Sequence, residues 1–168
     1  PEATKREIDV ARSPLNRGYH PFGGHSTNPR ARPDLKESFE IAQELGPDHP
    51  AVRAGLPLHG ANAWPAGLPG FRATIADYYA ALLDLGHAIC RAFARDLGAA
   101  EDVFADKLRC PMAQFRLIHY PPQPADAGDG QYGAGAHTDY GCVALLVQDD
   151  AGGLEVLNRR DEWVAVPP

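Results

Sequence analysis

The chain is poor in several things, and each shortage removes a class of protein. Its three cysteines, Cys90, Cys110 and Cys142, are odd in number and scattered without a C-x-x-C pair. That usage speaks against a disulfide framework and against a thiolate zinc site, and it fits a reducing cytoplasm. Cys90 falls in an apolar helical stretch and Cys142 among strand-forming residues, so both are expected as small core residues. No apolar run approaches the length of a membrane span and none has the layout of a signal peptide, so no membrane partner is expected. Positive charge is also short. Sixteen Lys and Arg against 22 Asp and Glu give a formal charge of −6, with a pI near 5.6. With no basic cluster to neutralise phosphates, nucleic acid is not an expected partner and a small molecule is.

What remains is ordinary globular material, 168 residues with 44% apolar and 23% charged side chains, enough for one domain with a core. The chain opens on Pro1 rather than Met and stops at Pro167-Pro168 directly after a strand-like run, so an internal fragment of a longer protein is expected.

Residues 1 to 33, rich in Pro, Gly and Arg, read as irregular. Within them RGYHPFGG sets His20 between Tyr19 and Phe22, either as loop packing or as a loop over a site mouth. Asp34, followed three residues later by Glu37 and ended by Gly46, predicts a capped helix over DLKESFEIAQELG. Leu35, Phe39, Ala42 and Leu45 would be its buried stripe, with Glu37, Glu40 and Glu44 as a solvated face. An irregular stretch from Pro47 to Pro69 carries Trp64, expected to anchor by burying its indole. Phe71 to Gly98 is the longest predicted helix, with Phe71, Ile75, Tyr78, Tyr79, Leu82, Leu85, Ile89, Phe93 and Leu97 in helical period; His87 within it reads as scaffold. A further helical turn is expected in AAEDVFADKL.

From Ala113 the period changes to two. AQFRLIHYPPQP predicts a strand closed by its prolines, with Arg116, Ile118 and Tyr120 on one face and Leu117 and His119 on the other. After a loop from Gln123 to Gly135 come HTDYG and the apolar CVALLVQ, expected as a strand buried on both faces. The turn DDAGG, the strand LEVL, the turn NRRDE and the strand WVAVPP extend the pattern toward a sandwich or barrel. A mainly helical part, residues 1–112, thus precedes a β part, residues 113–168, giving an α+β class.

If HTD lies on a strand, His137 and Asp139 point to one side. An imidazole and a carboxylate so placed are two arms of a 2-His-1-carboxylate site, which leaves positions on Fe(II) open. His-x-Asp alone is a weak signal, equally satisfied by a solvated hydrogen-bonded pair.

Along most of its length the chain resembles the isopenicillin N synthase-like family of non-haem iron(II), 2-oxoglutarate-dependent oxygenases. RGYHPFG, DLKESFEIAQELG, NAWPAGLPGFR, FRLIHYPPQP, GAGAHTDYGCVALLVQDDAGGLEVLN and EWVAVPP stand in that family's order. The resemblance implies a partial double-stranded β-helix (jelly roll) in 113–168, with helices packed outside it. It implies His137 and Asp139 as the first two iron ligands. Tyr120 matches the tyrosine of the family's Asn-x-Tyr-x-x-Pro signature, which touches the 2-oxoglutarate carboxylate, although Ile118 replaces the asparagine. Arg116 is either a counter-ion for a carboxylate in the pocket or an arginine paired elsewhere at the barrel end. The second histidine and the Arg-x-Ser pair that grips 2-oxoglutarate are expected beyond Pro168, because the histidines at 20, 25, 49, 59, 87 and 119 all precede the motif and none matches. The implied cofactor is Fe(II), with 2-oxoglutarate and O2 as co-substrates. The implied activity is oxidation of a small molecule by hydroxylation, desaturation or ring closure. An oxidase that dispenses with 2-oxoglutarate and a non-catalytic jelly-roll module are the alternatives.

Overall fold

The structure, a computed structural model, describes residues 2–24, 32–123, 128 and 130–168. Its centre is a three-stranded antiparallel sheet of β1 (Gly18–His20), β2 (Glu37–Ala42) and β3 (Gln114–His119), with β2 in the middle. Tyr19 faces Phe39 across the first pairing, and Glu40 faces Arg116 across the second.

The segment predicted as a helix from Asp34 is therefore largely a strand. Its apolar residues satisfy both periods: Leu35, Phe39 and Ala42 make a helical stripe, while Leu35, Phe39 and Ile41 alternate. Hydrogen-bonded neighbours on both edges decide for the strand, as tertiary pairing commonly overrides local propensity. Both capping residues are occupied elsewhere. Asp34 pairs with Lys36 at 2.9 Å, and Glu37 receives Lys5 at 2.8 Å and the Tyr19 hydroxyl at 2.6 Å. Of the glutamates expected as a solvated face, Glu40 is 1% exposed and Glu37 half-buried, whereas Glu44 is exposed as expected and binds Trp64 and Arg72.

The first 33 residues are more regular than expected. Helix α1 (Glu2–Glu7), a 3-10 turn at Val10–Arg12 and β1 precede a stretch, 25–31, that lies outside the described residues together with its His25. Tyr19 and His20 are buried in β1, whereas Phe22 is exposed. Arg17, also buried, stands next to β1 and ties three segments together. Its guanidinium donates to the carbonyls of Gln43, Leu58 and Gly60, at 3.2, 2.6 and 2.6 Å. Asn62 closes the end of β2 by exchanging two hydrogen bonds with the Ala42 backbone, at 3.0 and 2.9 Å.

After the short α2 (Pro50–Arg53), the predicted long helix appears as α3 (Phe71–Asp96). It stops where expected: Gly98 takes φ +68°, and the amide of Ala99 reaches back to the Ala94 carbonyl at 2.9 Å. Phe71 packs with Phe39 and Trp64 at its start. Tyr78 meets Phe115 edge-on at 5.7 Å and the Tyr79 hydroxyl bonds the Ala113 carbonyl at 3.0 Å, which seats the helix against the start of β3. Of the predicted stripe Ile75 is buried, while Tyr78, Leu85, Phe93 and Leu97 remain exposed. The expected turn in AAEDVFADKL is α4 (Ala105–Leu108).

The sheet crosses the expected 112/113 division, since β1 and β2 from the first part pair with β3 from the second. Beyond β3 the predicted hairpin forms from β4 (Glu155–Leu157) and β5 (Trp163–Ala165), turned by Asn158, whose side-chain oxygen accepts from the amides of Arg160 and Glu162. CVALLVQ, predicted as a buried strand, is in no ladder and is largely exposed, with Val147 at 77%. No strand among the described residues pairs with it, so its backbone groups have no ladder to join. Cys142 is exposed with it, against the core position expected, whereas Cys90 is buried as predicted. Among the described residues no helix is long and apolar enough to cross a membrane.

Glu37 makes the sheet's outer face pH-sensitive. Hydrogen bonds from Lys5 and Tyr19 outweigh burial and, with His119, hold its carboxyl at about 2 against an ordinary 4.5. A depressed folded value means stability that is fully present above about 4.5, declines as the unfolded chain takes up a proton the folded one refuses, and is gone below about 2. Unfolding free energies from urea titrations between pH 6 and pH 2 should fall for the wild type, by at most about 1.4 kcal/mol per pH unit from this group. In Glu37→Gln that part of the slope should vanish; an identical slope would assign the acid sensitivity elsewhere.

Candidate metal centre

The chain before His137 is strapped to the entry of β2. The Leu35 amide donates to the Tyr132 carbonyl at 2.9 Å, and the Gly135 amide donates to Asp34 Oδ1 at 3.1 Å. Gly133 lies against the Tyr120 ring so closely that a Cβ there would sit 2.7 Å from Cδ1. Glycine is what lets the segment run over the tyrosine. These contacts bring His137 to the end of the sheet where Tyr120 follows β3.

His137 and Asp139 lie outside any strand, against the expectation, yet their side chains do converge, with Nε2 to Oδ1 at 3.3 Å. His137 Nδ1 is 2.7 Å from the Gly135 carbonyl. A carbonyl only accepts, so Nδ1 carries the proton and the lone pair of a neutral ring is on Nε2. That lone pair faces a carboxylate oxygen. Two acceptors this close call for a proton or a cation between them, and both are partly exposed to receive one. The donor set thus fits two arms of a metal site, with the second nitrogen held by a carbonyl as is usual for histidines that bind metals. Among the described residues no group of three His, Cys, Asp or Glu side chains is gathered for a metal.

Arg116 is already engaged. Its Nε and Nη2 reach Glu40 Oε2 at 3.0 and 2.6 Å, and His20 Nε2 is 3.3 Å from the same oxygen. The geometry pairs Arg116 with Glu40 inside the protein and leaves its side chain part exposed. Burial pushes the Glu40 carboxyl up, but the His20 contact and the Arg116 charge together outweigh it and hold it below its ordinary value. Burial, with Asp34 nearby, raises the Tyr120 hydroxyl.

The sequence reading missed one group altogether. Asp34, Lys36, Ser38 and Glu40 alternate along the approach to β2 and one side of the strand, and all four are buried. The signal was available as a period of two in DLKESFEI, polar residues alternating with Leu35, Glu37, Phe39 and Ile41, but the helical stripe obscured it.

Comparison with known proteins decides the family. Residues 111–168 match the 2OG-Fe(II) oxygenase superfamily, and residues 1–67 match the family described as non-haem dioxygenase in morphine synthesis N-terminal. The chain belongs to the 2OG-Fe(II) oxygenase superfamily. A 2-oxoglutarate-Fe(II) type oxidoreductase of Aspergillus fumigatus is 36% identical over all of this chain and 51% of the relative. A 2-oxoglutarate-dependent dioxygenase of Monascus ruber is 41% identical over 90% of the chain and 49% of the relative. Among solved structures, a 2OG-Fe(II) oxygenase family protein from Caulobacter crescentus superposes with a TM-score of 0.80 at 33% identity, covering all of this chain and 52% of its own. A full-length Neurospora crassa protein, solved in complex with alpha-KG, gives 0.78 at 30% identity, again over all of this chain and 52% of its own. The chain spans about half the length of the curated relatives it matches. Within this superfamily, the paired His137 and Asp139 occupy the stretch that the first of the two matches covers.

Proposed function

We propose that this chain is part of a non-haem Fe(II)- and 2-oxoglutarate-dependent dioxygenase acting on a small molecule, and that His137 and Asp139 are two of the iron ligands. The observation that carries the reading is the convergence of a carbonyl-anchored imidazole and a carboxylate at 3.3 Å, at the end of a rigid sheet. Family membership supports it, as do relatives described as 2-oxoglutarate-dependent oxidoreductases and dioxygenases. On this reading residues 113–168 begin a jelly roll, with the helical elements of 1–112 packed outside it, and three free thiols suit a reducing cytoplasm.

Each residue then has a defined task. Gly135 fixes the proton on His137 Nδ1 and leaves Nε2 to bind, while Asp139 supplies negative charge beside it. Asp34, through the Gly135 amide, positions that segment. Tyr120, resting on Gly133, offers its hydroxyl to a co-substrate carboxylate. Arg116 serves by holding Glu40 rather than by meeting 2-oxoglutarate. Bound Fe(II) supplies activation of O2, coupling decarboxylation of 2-oxoglutarate to succinate with oxidation of the substrate.

In the full-length protein, His137→Ala or Asp139→Ala should reduce Fe(II)- and 2-oxoglutarate-dependent succinate formation to background, beyond the roughly 10- to 100-fold loss typical of outer-shell changes. Activity near wild type in either variant would remove the ligand assignment. Tyr120→Phe should raise the KM for 2-oxoglutarate by about 2- to 13-fold, the worth of one neutral hydrogen bond, with a smaller effect on kcat. If that KM held still while the KM for the primary substrate rose, the tyrosine would belong to the substrate instead.

A further inference from the structure

The inner face of the sheet holds more charge than the iron site explains. Along β2 and the residues that lead into it run Asp34, Lys36, Ser38 and Glu40, all buried; on β3 Ile118 and Arg116 stand opposite Ser38 and Glu40, and Tyr120 follows the strand. The row ends at Asp34, whose carboxylate holds the Gly135 amide two residues before His137. A molecule lying along this face would therefore reach the candidate metal ligands. The β2 side is closed, but the β3 side is open, with Ile118 42% and Tyr120 51% exposed.

Within the row one atom is unaccounted for. Glu40 Oε2 accepts both Arg116 nitrogens, yet Oε1 is buried without a hydrogen-bond partner among the described residues. A buried acceptor left unpaired is costly, and native proteins keep few of them without a use. The carboxylates of the row already face basic groups: Arg116 offsets Glu40, with His20 Nε2 3.3 Å from the same oxygen, and Lys36 offsets Asp34 at 2.9 Å. An added cation or anion would sit there uncompensated, which low-dielectric surroundings penalise heavily. A neutral donor would complete the acceptor and disturb neither pair.

We infer that Glu40 Oε1 is the polar anchor of the primary substrate, and that this substrate is a neutral small molecule presenting an N–H or O–H group, such as a lactam or a hydroxylated ring. Its use in catalysis rests on the oxygenase reading; its binding does not, and is measured without iron. Arg116 pins one oxygen of residue 40, so Glu40→Gln turns its amide NH2 toward the ligand and replaces an acceptor with a donor in the same volume. Ile118→Trp leaves the Glu40–Arg116 pair intact and fills the open half of the face.

The test is ligand-observed NMR on the metal-free full-length protein with four probes: 2-pyridone and phenol as neutral donors, benzylamine as cation and benzoate as anion. The wild type should bind the two neutral donors in preference. Glu40→Gln should weaken them by about 5- to 150-fold, the range for leaving one buried polar group unpaired, and Ile118→Trp should abolish their binding with its melting transition retained. Should Glu40→Gln not fold, Ile118→Trp alone decides, since wild-type affinity in it would overturn the site. Equal affinity in a folded Glu40→Gln, tighter binding of benzylamine or benzoate, or binding of none of the four probes to the wild type would also overturn the inference. A loss of succinate formation in His137→Ala with these affinities unchanged would leave both assignments standing, whereas His137→Ala with full activity would overturn only the assignment of His137 as a metal ligand.

Discussion

Everything in the described structure that bears on the site depends on β2 being paired along both edges. Its hydrogen bonds to β1 and β3 fix the alternation of its side chains, and alternation sorts them into two unlike sets. One set, with Glu37 and Phe39, faces Lys5, Tyr19, Trp64 and Phe71. The other, with Asp34, Lys36, Ser38 and Glu40, makes the polar inner face. A slip of one residue would exchange the two, bury Phe39 among ion pairs and cast Glu40 out beside the aromatic cluster. Register is accordingly over-determined: Glu40 finds Arg116 directly across the ladder, Glu37 finds His119, and Asn62 closes the strand's end.

How much of this was legible in the sequence follows the range of the forces involved. Helix α3 was readable because its period and its glycine stop are local, and so was β3, because a proline pair ends it. The β4–β5 hairpin carried its own turn chemistry in Asn158. The contact between His137 and Asp139 was legible for a different reason, since a two-residue spacing places two side chains together even in an irregular segment. β2 was misread because a capping signature and an apolar stripe are local signals, whereas the partners that make it a strand stand some twenty residues before it and more than seventy after it. For the same reason Glu40 looked like surface. Nothing within DLKESFEIA announces that an arginine 76 residues away will meet it.

The same distance separates two kinds of electrostatics on the sheet. Glu37, partly open, is held by several modest contacts whose effect is felt as acid sensitivity. Glu40, closed off, is held by one strong pair and one polar neighbour, and removal of Arg116 would leave its buried charge without a counter-ion.

The gap between β2 and β3 also sets the order in which the protein can be made. From Ala42 to Gln114 the ribosome adds about seventy residues, which at ~5–20 residues per second takes roughly 4–14 s. Throughout that interval β2 has a neighbour on one edge only, and its other edge presents unpaired amides and carbonyls to any strand that passes. The same interval covers the synthesis of α3, whose closing turn is complete before Ala113 and Phe115 emerge to meet Tyr79 and Tyr78. Newly made chain is thus left with an adhesive edge for seconds, and the helix waits with two tyrosines on the approach that β3 must take.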